Sequence, residues 1–191
     1  MDPSQKLRLL QPLRYFYDKE ERGMPLFHFV DRDEIPQPER DLLVHDSDMT
    51  SRLREYHESQ VELDILRAER MGDDYTRLVI LRSEETDEPV EFGAILLHLD
   101  QMEPLMVDEV VEGDEPFGQI LDRFHTTFFS SPRAFFVTTV DEILSDCLEA
   151  SQGDQVYGRC NAIADKDGNL LAEIVEILPS GGGGAATELM G

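Results

Sequence analysis

The chain has 191 residues, with 41 Asp and Glu against 17 Lys and Arg, giving a formal net charge of −24. That balance argues against a nucleic-acid binder, whose affinity rests on cations neutralising phosphates, and against attachment to an anionic membrane. Hydrophobic residues make up 40% of the chain and include ten Phe and five Tyr, enough for the core of one ordered domain.

The opening segment, MDPSQKLRLLQPLRYF, lacks the apolar stretch and small-residue cleavage site of a signal peptide, and no apolar run approaches the length of a membrane span. A cytoplasmic protein is expected, with Cys147 and Cys160 as buried thiols. Residues 1–40 hold five of the ten prolines, with Tyr15-Phe16-Tyr17 and Phe27-His28-Phe29 between them. They read as an extended arm packed on the core, with at most one short helix.

From Leu42 the pattern becomes regular. Asp48 or Ser47 caps a helix whose Met49, Leu53 and Tyr56 share one face and which ends near Ser59. Val61, Leu63 and Ile65 alternate as a strand. Tyr75 to Arg82 and Pro89 to Leu99 form a hairpin around SEETDE. Pro116 opens a helix bearing Phe117, Ile120, Leu121 and Phe124, followed by a β-rich run from Ala134 to Val140 and a short helix within 141–150. Gln155 to Ala164 and Asn169 to Leu178 flank Asp167-Gly168, which suits a two-residue type I′ turn. The Gly-rich segment 180–191 reads as a flexible, dispensable tail. Strands that arrive as hairpins with a few helices between them predict an α+β fold, an antiparallel sheet with helices gathered on one face.

Two places carry chemistry. Arg77 lies inside DYTRLVILR, on one strand face with Tyr75, Val79 and Leu81, while Thr76, Leu78 and Ile80 take the other. An arginine in so apolar a strand needs an anion, supplied either by an internal carboxylate or by a ligand. A two-residue turn at Asp167-Gly168 pairs residues whose numbers sum to about 335, which sets Arg159 opposite Glu176 with Asn161, Ile163 and Ile174 on the same face. That composition suits either a cross-strand ion pair or a pocket. Glu173 falls on the other face, and a slip of one residue would exchange the two glutamates.

Metal chemistry has little support. The histidines are scattered, HDSDM reads as a helix cap, and the Asp165–Glu176 stretch lacks the glycine position of a calcium loop. Phosphate-binding and nucleophilic-serine motifs are absent.

Taken in order, LLVHDSDMTSRLREY, YTRLVIL, EPVEFGAIL, EPFGQIL, VYGRCNAI and LLAEIVEILP resemble the chorismate lyase-like superfamily over about residues 40–179. The resemblance implies a six-stranded antiparallel sheet with helices on one side, enclosing a ligand under helical flaps. It implies that Arg77 and backbone groups at Met49 and Phe117, before Gly118, hold a ligand carboxylate. Glu176, with Glu173 in reserve, would meet a ring hydroxyl, and Arg159 would bind a second carboxylate or orient the glutamate. Where the lyases of ubiquinone synthesis carry a second arginine after the hairpin glycine, this chain reads Gly93-Ala94. The expected activity is cofactor-free cleavage of chorismate or a close relative to a hydroxybenzoate and pyruvate, with Glu176, Arg77 and Arg159 as catalytic residues. The alternative is a non-catalytic binding or sensing domain for a small aromatic carboxylate, since the superfamily also includes effector domains of transcription regulators. No DNA-binding segment is legible in this sequence.

Overall fold

The computed structural model describes residues 2–113 and 115–183. Its strands are β1 (Phe27–Val30), β2 (Val61–Met71), β3 (Asp74–Ser83), β4 (Pro89–His98), β5 (Phe128–Thr139), β6 (Gln155–Asp165) and β7 (Leu170–Ile177). They form one antiparallel sheet in the order β1-β5-β6-β7-β4-β3-β2. The helices are α1 (Pro3–Leu9), α2 (Gln11–Lys19), α3 (Glu39–Leu43), α4 (Met49–His57), α5 (Pro104–Glu112), α6 (Phe117–Arg123) and α7 (Glu142–Leu148). No described helix is long and apolar enough to cross a membrane.

The α+β class and antiparallel sheet match the expectation, but the sheet has seven strands rather than six. The seventh comes from the N-terminal segment, where Phe27 to Val30 pair with Thr138 to Phe135 of β5. The same segment holds two helices in place of an extended arm. Pro3 and Pro12 sit in the first turns of α1 and α2, where a missing N–H costs nothing, so these prolines start helices instead of breaking them. Leu13, Phe16 and Tyr17 follow helical spacing and are fully buried.

Helices consequently cover both faces of the sheet, not one. Leu13, Phe16 and Tyr17 of α2 and Leu144 and Leu148 of α7 pack on Ile80, Phe92, Ala94 and Val175. On the opposite face, α5 and α6 bring Met106, Val110, Phe117 and Ile120 onto Ile95 and Ile163, and α3 and α4 bring Leu42, Leu43 and Leu53 onto Leu81 and Val90. Both cysteines are free and buried, in the α2/α7 layer.

The β6–β7 connection is not a two-residue turn. Asp165 N–H donates to Asn169 O at 2.9 Å and Gly168 N–H to Asp165 O at 3.1 Å, which leaves three loop residues, with Gly168 at φ 86°. The Asp165 carboxylate pins the loop by accepting from the N–H groups of Asp167 and Asn169. A loop longer by one residue shifts the pairing, as Ala164 opposite Leu170 shows. A bulge beyond it then restores the register, so that Ile163 faces Ala172 and Arg159 faces Glu176. The expected pairing of Arg159 with Glu176 holds because two departures from the simple hairpin cancel.

Of the segment 180–191, Ser180–Gly183 forms a 3₁₀ turn whose Gly181 N–H donates to the buried Glu39 carboxylate at 2.8 Å. Residues 184–191 lie outside the described residues.

Next to Arg159, Gly158 sits where a Cβ would come within 2.3 Å of Glu176 O and 2.5 Å of the Phe136 ring. Neither neighbour is a flexible side-chain end. Gly158→Ala is therefore expected to lower stability by about 3 kcal/mol or more in urea unfolding, well beyond the usual cost of an added methyl.

Candidate functional site

On the face covered by α3 to α6, side chains at the centre of the sheet form rows across the strands. In the first row Asn161, Ile174, Ile95 and Arg77 lie on β6, β7, β4 and β3. The second holds Arg159, Glu176, Gly93 and Val79, and Glu91 pairs with Leu81 beyond them. Helix starts lie above: Asp48, Met49 and Thr50 at α4, and Pro116, Phe117 and Gly118 at α6. Together these groups enclose a narrow cavity of about 70 Å³.

The α4 start forms as the sequence predicts, with the Asp48 carboxylate accepting from Ser51 N–H at 2.8 Å. The α6 start differs. Pro116 precedes the helix, and among the described residues no side chain caps it. Gly118 lets α6 approach α4, since a Cβ there would lie 3.0 Å from Asp48 Oδ1.

The two buried arginines of this face have opposite circumstances. Arg159 is fully buried and paired. Its Nε and Nη2 donate to the two Glu176 carboxylate oxygens, and its Nη1 donates to Leu43 O and His45 O, both at 3.1 Å. Arg77 is 1% exposed, yet among the described residues its Nε and Nη1 have no hydrogen-bond partner. Its guanidinium carbon lies 6.0 Å from the centroid of the Tyr75 ring. Burial pushes the Arg77 pKa down, with only Tyr75 opposing, but a guanidinium keeps its proton in any protein environment.

Glu91 is a further member of the site that sequence reasoning passed over. It is 5% exposed, and its Oε2 has no partner among the described residues. Burial, and secondarily the Glu176 carboxylate, push its carboxyl well above the usual range against the pull of Arg159. An acid inside the apolar strand PVEFGAIL is the same signal that singled out Arg77.

The structure brings together Arg77, Met49, Phe117, Gly118 and Glu176 around the cavity. Arg159 lies behind Glu176 and is not among the lining residues. Glu173 is on the other face, opposite Ala162, where its carboxylate lies 3.6 Å from His98 Nε2. It is therefore not available to the cavity, although it was counted as a reserve ligand group. Among the described residues no group of three or more His, Cys, Asp or Glu is placed to hold a metal ion.

His45 ties the loop before α4 to Arg159. Its Nδ1 accepts from Ser47 N–H at 3.2 Å, which leaves Nε2 to donate to Leu42 O at 2.8 Å. Burial first, then the Arg159 charge, pushes the imidazole down to about 4 from an ordinary 6.5.

No protein-family model and no curated protein matches this chain. Solved structures do. The effector domain of PhnF from Mycobacterium smegmatis aligns with a TM-score of 0.55 at 8% identity, covering 70% of this chain and 89% of that one. A ligand-binding domain assigned to a GntR-family transcriptional regulator from Bordetella bronchiseptica aligns with a TM-score of 0.50 at 11% identity, covering 63% and 86%. YydK of Bacillus subtilis, described as a possible transcriptional regulator, aligns with a TM-score of 0.52 at 10% identity, and this chain spans 60% of its length. At such identities the likeness is one of fold, and function has to be argued from the site.

The two arginines should respond oppositely to removal. Arg159→Met strands the buried Glu176 carboxylate and is expected to cost about 3–5 kcal/mol in urea unfolding. Arg77→Met removes a cation that no described carboxylate pairs with, and is expected to leave stability within about 1 kcal/mol of wild type or above it.

A second expectation concerns pH. Between about 6.5 and 4 the unfolded chain protonates His45 while the folded protein does not, so stability is lost as pH falls through that window. Urea melts at several pH values should show this loss reduced in His45→Asn; an unchanged acid limb would contradict it.

Proposed function

We propose that this chain is a binding domain for a small carboxylate, of the kind used to sense a metabolite, and that Arg77 is its anchor. The observation that carries this reading is a buried guanidinium lining a cavity with donors unused among the described residues. A carboxylate supplies the planar, bidentate acceptor that such a fork matches. Met49, Phe117 and Gly118 are assigned to the cavity wall at two helix starts, where backbone N–H groups favour an anion. Glu176 is assigned to the ligand's far side, with Arg159 as the group that positions it. Val79, Leu81, Ile95, Ile163 and Ile174 supply apolar walls suited to a ring. No cofactor enters the reading.

Two considerations favour binding over the lyase activity that the sequence resemblance implies. Glu176 would act as acid or base only by leaving a buried two-point ion pair, and four of the five Arg159 N–H groups are already engaged within the chain. The structural neighbours also include ligand-binding and effector domains.

Calorimetric titration with 4-hydroxybenzoate tests the reading. Wild type is expected to bind, and Arg77→Ala to weaken binding at least about tenfold, since a charge-assisted pair contributes about 1.5–3 kcal/mol. Equal affinities would contradict it. Incubation with chorismate is expected to release no pyruvate; release that disappears in Glu176→Gln would restore the lyase activity as the function.

A further inference from the structure

We propose that Glu91 acts as a neutral hydrogen-bond donor to the bound ligand, and so selects carboxylates that carry an acceptor at the end remote from the carboxylate. The proposal rests on the carboxylate reading above and assigns the opposite end of the same cavity.

The argument starts from the strand register. Arg77 pairs with Ile95, and Glu91 lies four residues back along β4, so their rows are separated by about 13 Å along the sheet. The two long side chains line one cavity from opposite ends. The floor there is the Val79–Gly93 pair. Gly93 keeps it flat, because a Cβ would sit 3.1 Å from both Glu91 Oε1 and Val79 Cγ2.

The chemistry of Glu91 follows from its neighbours. The cation nearest to that end, Arg159, is already held by Glu176 through both carboxylate oxygens. An ionised Glu91 would then face Glu176 as a second buried negative charge with no cation of its own, an arrangement too costly to keep. The carboxyl accordingly holds its proton, in line with its raised pKa. A protonated carboxyl has one O–H to donate, and Oε2 has no described partner to receive or supply a bond. A buried donor without an acceptor disfavours the empty cavity and rewards a ligand that brings one. Such a site also discriminates strongly, because a ligand lacking the acceptor leaves the penalty in place.

The test uses three probes: benzoate, with no remote polar group; 4-formylbenzoate, with a remote acceptor; and 4-(aminomethyl)benzoate, with a remote cation. In wild type, 4-formylbenzoate is expected to bind about 3- to 10-fold tighter than benzoate. Glu91→Gln, whose carboxamide still donates, should keep that gain. Glu91→Leu should abolish it, so that the variant binds 4-formylbenzoate no tighter than it binds benzoate. A wild type that binds benzoate but shows no gain overturns the proposal, as does a gain that survives Glu91→Leu. Tightest binding of 4-(aminomethyl)benzoate, lost in Glu91→Gln, would show that the carboxyl works as an anion and would equally overturn it. Failure of wild type to bind benzoate, or benzoate binding that Arg77→Ala leaves intact, removes the carboxylate reading and this proposal with it. Thermal melts without ligand give an independent readout. Glu91→Leu is expected to melt above wild type, and a lower melting temperature would mean that the protein already satisfies this carboxyl.

Discussion

The site is organised by one charge that is uncompensated among the described residues. Arg77 is held on β3, next to the edge strand of a seven-stranded sheet, where it is buried and no described carboxylate meets it. Desolvating a guanidinium without a counter-ion costs several kcal/mol, a large share of the folding free energy of a marginally stable domain. No described acidic side chain is the partner of Arg77.

Arg159 shows what such a partner looks like. On the same sheet face it is matched by Glu176 across the β6–β7 pair, and its remaining donors hold the backbone at Leu43 and His45, next to the loop that leads into α4. The cavity is consequently asymmetric, with an open cation in one row and acids in the other two, one ion-paired and one neutral. A ligand that is anionic at one end and accepting at the other complements this arrangement. The net charge of −24 repels anions at long range, so capture must come from contacts inside the cavity, where burial leaves Coulombic attraction less screened.

Much of this was legible in the sequence. Strand alternation placed Arg77 and the Arg159–Glu176 pair on their faces, and the Asp48 cap and the helix at Phe117 formed where the spacing put them. The departures have local physical causes. Prolines near the N-terminus read as breakers, although position within a helix's first turn makes them starters, and so the layer on the second sheet face went unseen. Asp167-Gly168 suggested a two-residue turn, but the Asp165 carboxylate stabilises a three-residue loop whose shift a bulge then absorbs. No periodicity reports such a cancellation. Glu91 was hidden because attention to charged residues in apolar strands stopped at arginine, and because its significance depends on Glu176 and Arg159 being near it in space.

The central claim is that the Arg77 counter-ion comes from outside the protein. A crystal structure of the protein grown with 4-hydroxybenzoate addresses it most directly. The account predicts a carboxylate seated bidentately on the Arg77 guanidinium, with the ring over Val79 and Gly93. A guanidinium paired instead with a carboxylate of the protein's own chain, and a cavity holding only water, would contradict it.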